Sequence, residues 1–409
     1  MADGIVPHPI LTVEDRASEG KRRLLIAVAV MAIIALRKYD SVTHPQFWAE
    51  DGAMFFIEAE RTTHWLLLSP YQGYLHLIPR FIAVLGRNIP LIWAPALYTW
   101  APLLFTGALA WGIQSPRVPL PGKAAAALAV ALVPHTGEVY FTTCNLQWIL
   151  AIGLFALAII DDPSSWPQRF GDILSLAVLG LTGPFIAPAL PLFAWRAWRL
   201  RSAWSASMAL LAAGCLAVQA PAMIAFRPIP HSEPLLILHG AAVIAQRMIL
   251  SVVADHIRFP EALCAATFFV VPGALAWILW RRRPRLTGGL ELMMAGALTM
   301  AASMYKMRFD TWNLDDLYNG DRYMFMQKVL LVWLVAAIAS TCGVAVRRVL
   351  AVAAVSAFLI SAPRFVFPPY PDLHWASYAK AIDRGETVTV PIIPAGSKFT
   401  YRGGLPPHQ

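Results

Sequence analysis

The sequence predicts an all-α protein, a polytopic bundle of membrane-spanning helices. Hydrophobic residues make up 58% of the 409 positions and charged residues only 14%, a balance far from that of soluble domains. The hydrophobic residues occur in long runs, and a bilayer core about 30 Å thick takes roughly 20 helical residues to cross. Lysine and arginine cluster between these runs, as is typical of cytoplasmic loops. Together these observations predict about eleven spans, with the N-terminus inside and the C-terminus outside.

Composition narrows the class of protein further. Proline occurs 32 times, often inside apolar runs, which predicts kinked or broken helices. The four cysteines are scattered without the spacing of a disulfide framework or a metal site. The net charge of +9 is explained by the cytoplasmic clusters, so we expect no nucleic-acid partner.

The first span is set by the charges before it. Lys21, Arg22 and Arg23 place the N-terminus inside. The apolar run Leu24 to Leu36 lacks a cleavage signal after it and is therefore predicted to be an uncleaved span. A long outer loop follows, about residues 38–90, partly as helices on the membrane surface. The next predicted spans are about residues 91–111, 124–134 and 146–160.

The run from Asp172 to Trp195 is long enough for one span but is broken by "TGP" at residues 182–184. Either this sequence kinks one span, or it turns at the outer surface between two short half-helices. With one span, Arg169 and the cluster at residues 196–201 would lie on opposite sides of the membrane. The bias of basic residues toward one side therefore favours two half-helices.

The remaining runs predict spans that alternate to the C-terminus, at about residues 206–226, 264–280, 290–305, 323–342 and 349–360. Residues 241–256 carry Gln246 and Arg247, so we expect an interfacial helix there. The cluster "RRRPR" at residues 281–285 is the strongest cytoplasmic signal in the chain. Residues 1–361 then form the transmembrane domain, and residues 362–409 form a short, polar extracytoplasmic tail.

The most unusual outer segment is "QFWAEDGAMFF", residues 46–56, which contains the adjacent carboxylates Glu50 and Asp51. One interpretation is that they cap a surface helix, because carboxylates are favoured at its positive end. The other interpretation starts from the four aromatic residues around the pair, which would bury the two carboxylates. A carboxylate in a partly dry site has a raised pKa and can act as a general base.

A second group of outer residues suggests substrate binding. Arg322, in "GDRYMF" at the mouth of a late span, is either an interfacial anchor beside Tyr323 or a fork for a lipid phosphate, a geometry that guanidinium suits. Arg308 can share that role. Further candidates that would face the same outer site are Tyr74, His76 and Glu138.

The sequence lacks the motifs of enzymes that bind a soluble, nucleotide-activated donor. There is no glycine-rich phosphate loop, no nucleophile elbow and no nucleotide-binding fingerprint. The histidines have no spacing typical of metal ligands, so no metal site is assigned from the residues. An enzyme working on the outer face without a nucleotide site needs a donor already delivered there, and a lipid phosphate is the natural candidate.

With "FWAEDGAMFF", "LTGPFIAPALP" and the tail "VTVPIIPAGSKF", the chain resembles the GT-C superfamily of integral membrane glycosyltransferases, in an uncharacterised bacterial branch. The resemblance implies transfer of a sugar from a polyprenyl-phosphate donor to a glycan or lipid acceptor, on the periplasmic side of the inner membrane. It implies Asp51 or Glu50 as the base and Arg322 as the phosphate ligand. It also allows a divalent metal. The rival class is a transporter, flippase or polymerase of lipid-linked glycans.

Overall fold

A computed structural model describes residues 13–62, 66–226, 237–283, 285–306, 314, 317 and 319–403. Within these ranges the chain is mostly helical. The helices are α1 (Val13–Arg37), α2 (Tyr39–Thr43), α3 (Ile57–Arg61), α4 (Leu77–Gly86), α5 (Ala94–Ile113), α6 (Lys123–Leu132), α7 (Leu146–Ile159), α8 (Trp166–Gly180), α9 (Ile186–Leu200), α10 (Ala203–Ala225), α11 (Ile237–Ile244), α12 (Ser251–Ala254), α13 (Glu261–Arg282), α14 (Gly289–Lys306), α15 (Arg322–Ser340), α16 (Val344–Ser361) and α17 (Trp375–Asp383).

The protein is a multi-pass membrane protein. Within the described residues, five helices are, by length and composition, able to cross a bilayer. They are Leu91–Ile113, Ala203–Ala225, Glu261–Arg282, Arg322–Ser340 and Val344–Arg364. Shorter apolar helices, including α6 and α7, accompany them. The number of about eleven spans and the orientation of the termini therefore stay predictions.

Helix α7 forms the centre of the bundle. All of its residues from Leu146 to Ile159 are buried, and it packs against α5, α8, α9 and α15. A helix that is apolar on every side is stable only where other helices or lipid cover it all round. The short span predicted at residues 146–160 is thus enclosed by protein rather than by lipid.

The "TGP" segment separates two helices, which confirms the half-helix prediction. Helix α8 ends at Gly180 and α9 begins at Ile186. At the other end of the pair, the Arg196 guanidinium donates to the Asp162 carboxylate at 2.8 Å. Asp162 lies in the loop before α8, so the chain enters and leaves this pair at the same end of the bundle.

The basic clusters assigned to the cytoplasmic side do meet at one end of the bundle. Their ion pairs and hydrogen bonds join α1 to the end of α5, the loop after α5 to α8, the loop after α7 to α9, and the end of α9 to the start of α14. These contacts are Arg23 with the Trp111 carbonyl, Arg117 with Asp172, Arg196 with Asp162, and Arg199 with Glu291. The charge pattern therefore predicted correctly which helix ends lie together.

The all-α prediction was wrong for the tail, which contains a β-hairpin after α17. Strands β1 (Val388–Ile392) and β2 (Ser397–Tyr401) pair antiparallel, with Val388 opposite Tyr401. The sequence signal is present as two short runs with β-branched and aromatic residues around "PAG". The proline in β1 and the polar composition of the tail concealed it.

The tail packs onto the first outer loop. The Ile393 N–H donates to the Phe47 carbonyl at 3.0 Å, and the Ala49 N–H donates to the Ile393 carbonyl at 2.5 Å. In strand β2, the Phe399 ring lies 6.0 Å, centroid to centroid, from that of Phe47. The Trp375 indole N–H in α17 donates to the Leu91 carbonyl at 2.9 Å. The tail therefore covers the segment that carries the acidic pair.

The turn between α8 and α9 yields the first prediction. Gly183 has φ +84°, where an L side chain is strained, and a Cβ there would contact the Gln147 side chain. We expect Gly183→Ala to lower the free energy of unfolding by about 1 kcal/mol or more, measured by thermal denaturation in detergent. Gly214→Ala in α10 is the control, because a Cβ there meets open space. Equal melting temperatures for the two variants would contradict the prediction.

Candidate active site

Asp51 is the most completely buried carboxylate of the predicted site. It begins a π-helical turn, Asp51–Phe56, and is 1% exposed. Its Oδ2 accepts a hydrogen bond from the Thr143 N–H at 2.8 Å, and its Oδ1 accepts one from the Cys144 N–H at 2.7 Å. Asp51 thus ties the first outer loop to the loop between α6 and α7, residues 133–145, which we call the central loop.

Aromatic neighbours create this dry environment, as the sequence predicted. Phe47, Phe55 and Phe56 are all buried. Burial raises the pKa of Asp51 to about 7, while the hydrogen bonds from Thr143 and Cys144 oppose the shift. The expected raised pKa is confirmed. Asp51 therefore changes its charge near neutral pH.

Glu50 lies in a different environment. It is half-buried, and the Cys144 thiol donates to its Oε2 at 3.6 Å. Glu50 is the N-cap of the turn and Asp51 lies in its first turn, as the helix-cap interpretation expects, but Glu50 makes no side-chain cap hydrogen bond and Asp51 binds the central loop. Of the two carboxylates, only Glu50 retains access to solvent.

Arg322 contacts the central loop at a different residue, Glu138. It is the first residue of α15, and its guanidinium forms an ion pair with the Glu138 carboxylate. The Arg322 side chain is 33% exposed, and its Cζ lies 5.2 Å from the centroid of the Tyr323 ring. Two of the predicted substrate ligands, Arg322 and Glu138, therefore neutralise each other in this structure.

Tyr74 and His76 are buried side chains next to the site. The Tyr74 hydroxyl accepts a hydrogen bond from the Gln147 amide at 3.3 Å, and the Tyr74 ring stacks on His76 at 4.5 Å. His76 is 1% exposed. Both side chains support the loop that carries them. Arg308 lies outside the described residues.

An ion pair that the sequence did not predict fixes the start of α15. Lys328 and Asp321 are each 2% exposed, and the Lys328 ammonium donates to the Asp321 carboxylate at 2.8 Å and to the Pro134 carbonyl at 2.8 Å. A lysine inside an apolar run was the available signal, since such residues mark functional positions. This pair joins Arg322 and the central loop to one rigid support.

A metal does not fit these side chains. Within the described ranges, no three His, Cys, Asp or Glu residues come together in a way that would hold an ion. Glu50 and Asp51 point to the Cys144 thiol and to backbone N–H groups, which are donors rather than competing ligands. We therefore derive no step through a metal.

Comparisons with known proteins give one structural similarity. No family model matches the sequence, and no curated protein matches it. The fold is similar to the archaeal oligosaccharyltransferase AglB from Archaeoglobus fulgidus, solved in complex with an inhibitory peptide and a dolichol-phosphate. The alignment covers 89% of this chain and 58% of AglB, at 13% identity and a TM-score of 0.44. This chain thus spans little more than half the length of that protein.

The pKa of Asp51 predicts a pH-dependent stability. Because the folded-state pKa lies above the ordinary value of 3.8, this carboxyl stabilises the fold fully below about pH 4, and the contribution is lost as the pH rises through about 7. We expect the melting temperature of the wild type to fall between about pH 5 and pH 8, and Asp51→Asn to remove most of that fall. Melting curves of the purified protein across this range provide the measurement.

Asp383→Asn, at an exposed position of α17, is the control and should keep the wild-type slope. The interpretation fails if Asp51→Asn keeps that slope as well.

Proposed function

We propose that this protein transfers a sugar from a polyprenyl-phosphate donor to a glycan or lipid acceptor of the cell envelope, on the outer face of the bacterial inner membrane. The observation that carries the proposal is the central loop. It contacts the acidic pair through Thr143 and Cys144, and it contacts Arg322 through Glu138. A base and a phosphate ligand are the two groups that such a transfer needs.

In the proposed reaction, Glu50 is the base and Asp51 holds it in position. Glu50 retains access to solvent, whereas both Asp51 oxygens are occupied by backbone donors. Glu50 accepts the proton of the acceptor hydroxyl as that oxygen attacks the anomeric carbon. The bond from this carbon to the phosphate oxygen breaks, and the configuration inverts. Charge develops on the leaving phosphate as the sugar becomes oxocarbenium-like.

Arg322 is proposed to bind that phosphate. A guanidinium presents paired donors to phosphate oxygens and stays charged throughout the reaction. The phosphate must replace Glu138, which is 16% exposed and therefore within reach of a competing anion. Position supports the assignment as well, because Arg322 begins a membrane-length helix, where the headgroup of a lipid donor would lie.

A lipid transporter remains the alternative function. Transport requires ionisable groups inside the membrane that are reached from both sides. Lys328 is an ionisable group in the membrane-length helix α15, but it is 2% exposed and is held by Asp321 and Pro134. This closed arrangement favours the enzyme.

The first functional prediction concerns the base. Glu50→Gln should lower sugar transfer by at least about 100-fold, because the amide cannot accept the acceptor proton. Mass spectrometry of envelope glycans is the readout, in cells that lack the wild-type gene product and express the variant. Glu386→Gln, an exposed glutamate of the tail, is the control and should restore normal glycans. Normal glycans with Glu50→Gln at equal protein level would exclude Glu50 as the base.

The second functional prediction separates Arg322 from its ion-pair partner. Arg322→Gln should weaken binding of undecaprenyl phosphate to the purified protein by about tenfold or more, as expected for the loss of a charge-assisted hydrogen bond. Glu138→Gln should leave binding unchanged or strengthen it, since the competing carboxylate is gone. Native mass spectrometry measures both. Weaker binding in Glu138→Gln with normal binding in Arg322→Gln would assign the phosphate to another group.

A further inference from the structure

A cleft opens on the outer face between the first outer loop, the start of α5 and helix α17. Its volume is about 790 Å³, within the range of small-molecule sites. Gln46 fixes the two walls together, because its amide donates to the Pro371 carbonyl at 2.7 Å and accepts from the Leu373 N–H at 2.8 Å. The cleft is therefore preformed. Its lining includes His44, Gln46, Trp93, His374, Trp375 and Lys380.

A small, partly enclosed pocket borders the cleft, since both are lined by His44 and Gln46. Its volume is about 10 Å³, which is enough for one group of the size of a water molecule. Lys38, Asp40 and Tyr370 form its polar wall. The pocket therefore offers a place next to the cleft for one small polar group of a ligand.

The polar groups of the pocket match a hydroxyl. Asp40 is 6% exposed, and its Oδ1 has no hydrogen-bond partner among the described residues, whereas Oδ2 accepts from the Tyr370 N–H at 3.0 Å. Lys38 is 2% exposed and donates to the Tyr370 hydroxyl at 3.3 Å, which leaves further N–H donors on its ammonium. A hydroxyl donates one hydrogen bond and accepts others, so it satisfies a carboxylate and an ammonium together.

Other ligands fit this lining less well. An acyl chain would bury the charged and polar groups of the cleft without partners, which is costly. An anionic ligand would meet Lys38 and Lys380. However, it would also bring like charge to Asp40 in the pocket and to Asp372 in the cleft. The cleft also offers an exposed aromatic side chain, because its Trp93 is 57% exposed. A neutral, hydroxyl-rich ligand with one apolar face satisfies all of these groups.

We propose that this cleft binds a neutral saccharide, the acceptor of the proposed reaction, with a ring on Trp93 and one hydroxyl between Asp40 and Lys38. The inference rests on the proposed function only in identifying the saccharide as the acceptor. The pocket also reaches the central loop, because Phe141 and Thr142 line it, and the next two residues are Thr143 and Cys144, which bind Asp51. A saccharide held there lies beside the central loop, which binds Asp51.

The test is binding of neutral trisaccharides to the purified, full-length protein in nanodiscs. The probes are maltotriose, mannotriose and triacetylchitotriose, and saturation-transfer NMR detects contact. We expect at least one probe to bind the wild type. Trp93→Ala and Asp40→Asn should each weaken that binding by about tenfold or more. Asn keeps an acceptor for the Tyr370 N–H but turns an N–H₂ toward the hydroxyl.

Trp100→Ala is the matched control, because Trp100, a residue of α5, is an exposed tryptophan like Trp93 but does not line the cleft. It should bind the probe as the wild type does. The proposal is overturned if no probe binds, if Trp93→Ala and Asp40→Asn bind normally, or if phosphatidylglycerol vesicles displace the probe. Glu50→Gln separates the two hypotheses. If it retains both saccharide binding and sugar transfer, the proposed base is wrong while the cleft stands.

Discussion

The structure depends on one buried carboxylate. Asp51 is shielded from solvent and accepts hydrogen bonds from two backbone N–H groups of the central loop. These belong to Thr143 and Cys144, which lie 92 and 93 residues further along the chain. An unpaired buried charge is expensive, so this arrangement is stable only while the first outer loop and the central loop remain together. Burial raises the pKa of Asp51 to about 7, so the strength of the link depends on pH near neutrality.

The central loop can hold this position because other elements fix it independently. Lys328 binds its Pro134 carbonyl from α15, and Arg37 at the end of α1 donates to the Ala131 and Val133 carbonyls. Carbonyls at the end of a helix lack partners within it, and a buried guanidinium supplies donors for them. The first outer loop, α1 and α15, which are distant in sequence, thus fix the position of the central loop together.

The sequence predicted most of the helices because hydrophobic runs and basic clusters are local signals. The break at residues 182–184 and the meeting of the basic helix ends follow from such signals. The contacts of the site do not. Nothing near Asp51 in sequence indicates that Thr143 and Cys144 are its donors, or that Arg322 would pair with Glu138. Long-range pairing of this kind is fixed by how the helices pack.

The same long-range packing divides the acidic pair into two roles. Adjacent residues in a helical turn point in different directions. Asp51 therefore reaches the backbone N–H groups of Thr143 and Cys144, while Glu50 is left with a side-chain contact. Its half-buried carboxylate meets the Cys144 thiol, whose own pKa burial and the nearby carboxylates raise well above the usual value. The neutral thiol offers only a weak hydrogen bond. An acceptor hydroxyl can therefore displace it at little cost, which is the property that a general base in a resting site requires.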